Sequence, residues 1–157
     1  AAQGESVAPA NFNSPGQIVI AGHASAVERA MELARAAGAK RALPLPVSAP
    51  FHSALMEPAA RRLEEALQDI AVNAFRCPVV GNVEAAPYSD PERVKSLLVA
   101  QVCAAVRWDE SVLRMQEIGV TNYIEIGPGK VLSGLTKRIA KGSTVQNVED
   151  VDSLKKL

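Results

Sequence analysis

Apolar residues along this chain fall into short runs and helical stripes, separated by polar or proline-rich breaks. Residues 16–22, Gly-Gln-Ile-Val-Ile-Ala-Gly, form an apolar run between glycines that suits a buried strand. Upstream, Val7–Phe12 is a second strand candidate, and Asn13-Ser14-Pro15-Gly16 between them carries strong turn chemistry. The pair reads as a hairpin. Val27, Ala30, Met31 and Ala34 then recur at helical spacing over residues 25–37, with Ser25 placed to cap the start and Gly38 to stop the end. Ala39–Leu45 returns to strand character and is ended by Pro44 and Pro46.

After the loop Val47–Ser53 the longest helix is expected, over Ala54 to Ile70. Leu55, Ala59, Leu63, Ala66, Leu67 and Ile70 form its apolar stripe, and Glu57, Arg61, Arg62, Glu64 and Glu65 its wet face. Pro58 confines the helix start to the preceding turn. Pro78–Val83 reads as a short buried strand, Pro91–Val102 as a helix with Val94, Leu97, Leu98 and Gln101 on one side, and Trp108–Ile118 as a helix stopped at Gly119. Thr121–Ile126 is a strand running into Gly127-Pro128-Gly129, and Lys130–Ala140 a final helix. From Gly142 the chain is polar and is expected to fray. Residues 7–46 thus read β-β-α-β, most of a ferredoxin-like unit without its first strand and helix. The alternation beyond them indicates parallel α/β packing, with Pro78–Val83 and Thr121–Ile126 as its two strands.

A length of 157 residues is one ordinary domain, large enough to bury a core, and 48% hydrophobic against 22% charged residues excludes wholesale disorder. Seventeen basic residues balance seventeen acidic ones, which argues against a general nucleic-acid binder. Aromatics at 4% are too few for a stacking platform on single strands. No apolar run approaches the roughly 18 residues of a membrane span, and AAQGESVAPA lacks the charged-then-apolar pattern of a secretion signal. Cys77 and Cys103 make neither a disulfide framework nor a metal motif, so a reduced, cytoplasmic setting is the default expectation.

The most informative segment chemically is Pro46-Val-Ser-Ala-Pro-Phe-His52-Ser. A histidine on a proline-punctuated loop before a long helix cannot hide on an apolar helix face, and loops over rigid elements are where catalytic groups concentrate. From the residues alone two roles stay open for His52: a functional imidazole, or a hydrogen-bonded structural one. His23 sits in an ordinary turn and reads as structural. Two distant histidines and two distant cysteines give a metal site no support. Gly127-Pro128-Gly129-Lys130 lacks the spacing of a phosphate loop and reads as a tight strand-to-helix connection.

Residues 9–23 (PANFNSPGQIVIAGH), 38–58 (GAKRALPLPVSAPFHSALMEP) and 123–138 (YIEIGPGKVLSGLTKR) closely resemble the bacterial malonyl-CoA:acyl-carrier-protein transacylases. The similarity runs with little gapping from about residue 7 to residue 140. It implies an α/β-hydrolase-like large subdomain with a ferredoxin-like small subdomain inserted. Residues 1–46 would be part of the small subdomain, 47–140 the C-terminal part of the large one, and 141–157 a polar tail. The family moves malonyl from coenzyme A to a serine and then to the phosphopantetheine thiol of acyl carrier protein, as a step of fatty acid synthesis. The G-x-S-x-G elbow that carries the serine does not occur in this sequence, nor do the family's Gly-Gln-Gly loop and its carboxylate-binding arginine. The resemblance therefore implies the C-terminal half of such an enzyme, inactive alone. Its partners would be malonyl-CoA, acyl carrier protein, and either the N-terminal half or a second copy of the chain; nucleic acid and membrane are not among them.

Within the resemblance His52 matches the catalytic histidine, and the main-chain carbonyl of Gln101 its orienting partner. Gln101 falls in the last helical turn, where carbonyls lack intrahelical partners. Phe51 matches a position that selects malonyl over branched acyl groups, a steric choice usually worth about 1–3 kcal/mol. Lys40 and Arg41 match residues proposed to meet the phosphates of coenzyme A or the phosphopantetheine arm, which a fork and a point charge suit well. Asn11 and Asn13, on the NFNSPGQ turn, match pocket-lining residues. No cofactor is implied, because malonyl-CoA is a substrate. Two alternatives stand beside this reading. One is a related serine thioesterase, which would admit water; the other is a non-catalytic module that binds acyl carrier protein or a partner half.

Overall fold

The structure, a computed structural model, describes residues 2–157. The expected hairpin forms: β1 (Val7–Ser14) pairs antiparallel with β2 (Gln17–Gly22), from Val7 opposite Gly22 to Ser14 opposite Gln17. Asn11 and Asn13 lie inside β1, ahead of the turn and not on it, because the ladder runs on to Ser14. At the far end Gly22 permits a close approach, since a Cβ there would stand 2.1 Å from the Ser6 carbonyl oxygen. Helix α1 (Ala24–Ala36) follows; Gly38 and Ala39 return their N–H groups to the Arg35 and Ala34 carbonyls and end it. Ser25 does not cap this helix. Its hydroxyl donates to Glu5 (2.6 Å), which also accepts from Arg29, and His23 holds the capping position without a side-chain cap.

The strand expected at Ala39–Leu45 is absent. No neighbouring strand pairs with it among the described residues, and Leu43 is 70% exposed. After a single 3-10 turn at Ala54–Met56, α2 (Glu57–Leu67) stops three residues before the expected Ile70. Lys95 donates to the Gln68 carbonyl (2.8 Å) at its end, a cation on a helix C-terminus. Its expected stripe holds at Leu55, Leu63 and Leu67, which are half-buried, but Ala60 is buried in place of Ala59, and Ala66 and Ile70 face solvent.

β3 (Val79–Gly81) turns back on β4 (Ala86–Tyr88) as an antiparallel hairpin. Next come α3 (Arg93–Cys103), the two-residue β5 (Val106–Arg107), α4 (Trp108–Glu117), β6 (Asn122–Ile126) and α5 (Val131–Ile139). The segment expected to fray is ordered. Residues of β7 (Thr144–Val148) pair parallel with β6, and α6 (Val151–Leu154) closes on a capping box between Asp150 and Ser153. β6, α5 and β7 therefore make a βαβ unit. This corrects the expected pairing of Pro78–Val83 with Thr121–Ile126, since each finds a partner nearer in sequence.

β5 adds to the free edge of β1 in parallel, Asn11 opposite Val106 and Phe12 opposite Arg107, so the first hairpin and the second half of the chain share one sheet. Val112, Ile139 and Ala140 form the central buried cluster, with Trp108, Met115 and Tyr123 packed against it. The fold is mixed α/β. None of the helices among the described residues is long and apolar enough to cross a membrane.

Candidate active site

Proline before it and a buried serine after it fix the loop that carries His52. The Ser53 hydroxyl, 1% exposed, donates to the Pro50 carbonyl (2.7 Å) and closes the loop on itself. This bend puts His52 at φ +58°, a left-handed conformation uncommon outside glycine. Such strain persists only where surrounding contacts hold it. Here the contacts are on α3: the start of α2 packs beside the end of α3, so the imidazole meets a helix C-terminus.

His52 Nδ1 stands 3.1 Å from the Gln101 carbonyl oxygen and 3.0 Å from the Ala104 carbonyl oxygen. Both groups only accept, so Nδ1 carries the proton and donates to them. Nε2 is then the unprotonated nitrogen and the basic one. The Gln101 carbonyl is available because it lies in the last turn of α3, two residues before Cys103, and Ala104 is extended (φ −83°, ψ 147°), which turns its own carbonyl off the helix axis. The aligned carbonyls at this end carry partial negative charge, which favours a donor there. Residue reasoning missed Ala104; a main-chain acceptor leaves no mark in the side-chain code. His23 contrasts with His52. Its Nδ1 lies closer to the Ser6 N–H (2.9 Å) than to the Ser6 carbonyl oxygen (3.4 Å), so it accepts from the N–H and the proton sits on Nε2.

The remaining candidates are distributed around this pair. Phe51 is half exposed beside His52. Asn11 is drawn toward the site through the sheet, opposite Val106 and so two residues along from the Ala104 carbonyl. Asn13 lies two residues further on the same strand. Lys40 and Arg41 are exposed on the irregular stretch after α1 and make no ion pair among the described residues, and the structure brings neither into contact with His52. No group of three or more His, Cys, Asp or Glu side chains is gathered for a metal among the described residues. A surface cleft of about 560 Å³ between α5, β7 and the chain end includes Lys130, Lys137 and Lys156 but none of the candidate residues.

An imidazole held at Nδ1 by two main-chain carbonyls, on a mixed α/β frame, presents Nε2 as a group able to accept a proton. The chain belongs to the acyl transferase domain family, whose sequence profile matches residues 1–156. It is 50% identical over 154 residues to the malonyl CoA-acyl carrier protein transacylase of Escherichia coli K12, covering 98% of this chain and 50% of that protein. The Bacillus subtilis protein of the same name is 46% identical over 152 residues, with 97% and 48% covered. Among solved structures, an acyl carrier protein S-malonyltransferase from Vibrio cholerae superposes with TM-score 0.95 at 54% identity, over 99% of this chain and 51% of that one. A malonyl-transacylase in complex with a type II PKS acyl-carrier protein gives TM-score 0.94 at 51% identity, over 98% and 50%. The chain spans about half the length of the relatives it matches.

Proposed function

We propose that this chain is the histidine-bearing half of a malonyl-CoA:acyl-carrier-protein transacylase, and that the part of such an enzyme that these residues do not span supplies the nucleophilic serine. The observation that carries the reading is the double main-chain acceptor on His52 Nδ1, which leaves Nε2 as the base. In the reaction, Nε2 takes the serine proton as the oxygen attacks the thioester carbonyl. The proton then passes to the departing coenzyme A sulfur. In the second half the phosphopantetheine thiol of acyl carrier protein gives its proton to Nε2 and attacks the acyl-serine, and serine is restored. Phe51 limits the acyl group, Asn11 and Asn13 line the pocket, and Lys40 and Arg41 meet phosphates. No cofactor enters these steps. The relatives' names support the substrates, and the reading places the chain in the cytoplasm, within an α/β-hydrolase-like large subdomain joined to a ferredoxin-like small one.

The test is complementation. The part of the Escherichia coli protein that this chain does not cover is co-produced with it, and malonyl transfer to acyl carrier protein is followed. Transfer is expected from the pair and not from this chain alone, and His52→Ala should lower it by about 10²–10⁴-fold, the usual contribution of a general base. Unchanged transfer in His52→Ala would overturn the reading. Release of free malonate without transfer would replace it with a thioesterase.

A further inference from the structure

We propose that Asn82 is a positioning residue for His52, acting through the backbone of Ala105–Arg107. This rests on the reading of His52 given above and extends it to a residue that touches neither His52 nor the reacting atoms. Asn82 Nδ2 donates to the Ala105 carbonyl (3.0 Å), and Asn82 Oδ1 accepts from the Arg107 N–H (2.9 Å). An acceptor at one residue and a donor two residues on is the pattern a strand offers to a parallel neighbour. The side-chain amide therefore fills the place of a strand on one edge of β5, while β1 occupies the other.

The consequence for His52 follows from backbone geometry. Ala104 is extended, and in extended chain successive carbonyls point to opposite sides. With the Ala105 carbonyl held by Asn82, the Ala104 carbonyl is directed the other way, where it meets His52 Nδ1 at 3.0 Å. β5 has only two ladder residues, paired with β1 on one edge, and on the other edge the Ala105 carbonyl is held by Asn82. Asn82 is itself held firmly. It opens the turn between β3 and β4, Arg107 Nη1 donates to the next carbonyl, Val83 (2.9 Å), and Glu110 secures that guanidinium through Arg107 Nε (2.9 Å). Ala85 completes the turn at φ +50°.

The test uses the 157-residue chain itself and its two histidines, which serve as probe and control. In ¹⁵N-histidine NMR at about pH 9, above the ordinary imidazole range, His52 should be the Nδ1–H tautomer and His23 the Nε2–H tautomer. Asn82→Ala should move His52 toward the tautomer mixture of free imidazole and leave His23 unchanged. Asn82→Asp, which keeps the acceptor and the volume but loses the donor, should move His52 part of the way. It also serves where Asn82→Ala does not fold. Wild-type tautomers as expected with His52 unmoved in the variants would overturn the role of Asn82 alone. Equal movement of His23 and His52 would overturn it too, since that signals general loosening. A wild-type His52 protonated on Nε2 would instead overturn the reading of the site, and the role of Asn82 with it.

Discussion

The geometry at His52 is set by groups that are not functional by type. A serine hydroxyl ties its loop, two main-chain carbonyls select its tautomer, and its own left-handed backbone aims the ring. Ser53 is the member whose removal is simplest to read. Ser53→Ala strips the donor from the Pro50 carbonyl in a buried setting, and an acceptor left so costs about 1–3 kcal/mol. Urea unfolding should place the variant that much below wild type. A loss under a few tenths of a kcal/mol would mean the loop is held by packing and prolines alone. His52 was legible in the sequence as a candidate because few histidines sit on proline-flanked loops, and the resemblance added the Gln101 carbonyl. Ala104 and Asn82 were not legible, because each acts through a backbone contact between segments distant in sequence.

At the scale of elements, β6 and α5 are joined by more than a short loop. Glu125, within β6, accepts from the Leu132 N–H (3.1 Å) and the Ser133 N–H (2.7 Å), two unpaired donors of the first turn of α5. Hydrogen bonding to Ser133, and to the Leu132 backbone, holds the Glu125 carboxyl below its ordinary value of 4.5. A folded-state value depressed in this way stabilises the fold above the unfolded-state value and is lost as pH falls through the folded one. The carboxyl of Glu125 should therefore titrate below 4.5 in ¹³C NMR, with the Leu132 and Ser133 amide shifts following the same curve. A midpoint at or above 4.5, or amides that do not follow, would remove this contact from the account. Local signals served well for such elements: the first hairpin and the two helix ends at Gly38 and Gly119 lie where turn and stop residues put them. They failed at Ala39–Leu45, where strand character is present and a partner strand is not.

For the molecule as a whole, the notable quantity is apolar surface left uncovered. Ile126 is 82% exposed, Val131 73% and Val47 64%, and the two-stranded β6–β7 sheet pairs with no third strand among the described residues. Folded proteins normally cover such edges and patches. In sedimentation velocity the purified chain should run heavier than a 16.6 kDa monomer, by pairing with itself or by carrying a bound polypeptide. A single 16.6 kDa species with cooperative unfolding would contradict that expectation, and with it the proposal that a complementary half is needed.

What the sequence by itself determined is what neighbours along the chain decide: turns, helix stops, the strand and helix on either side of Gly127-Pro128-Gly129, and a histidine on a constrained loop. Its helical stripes over 25–37 and 91–102 face inward as expected, while in α2 Ala60 is buried in place of Ala59, because the buried side of a helix depends on what packs there. Only the tertiary structure decided which strands pair, since the same apolar runs suit several partners. It alone drew β5 to β1 and β7 to β6, against the expectation that the segment after Gly142 would fray. It alone also set the Ala104 carbonyl against His52 and the Asn82 amide behind it, because carbonyl direction follows from where the chain is held and not from which residue bears it.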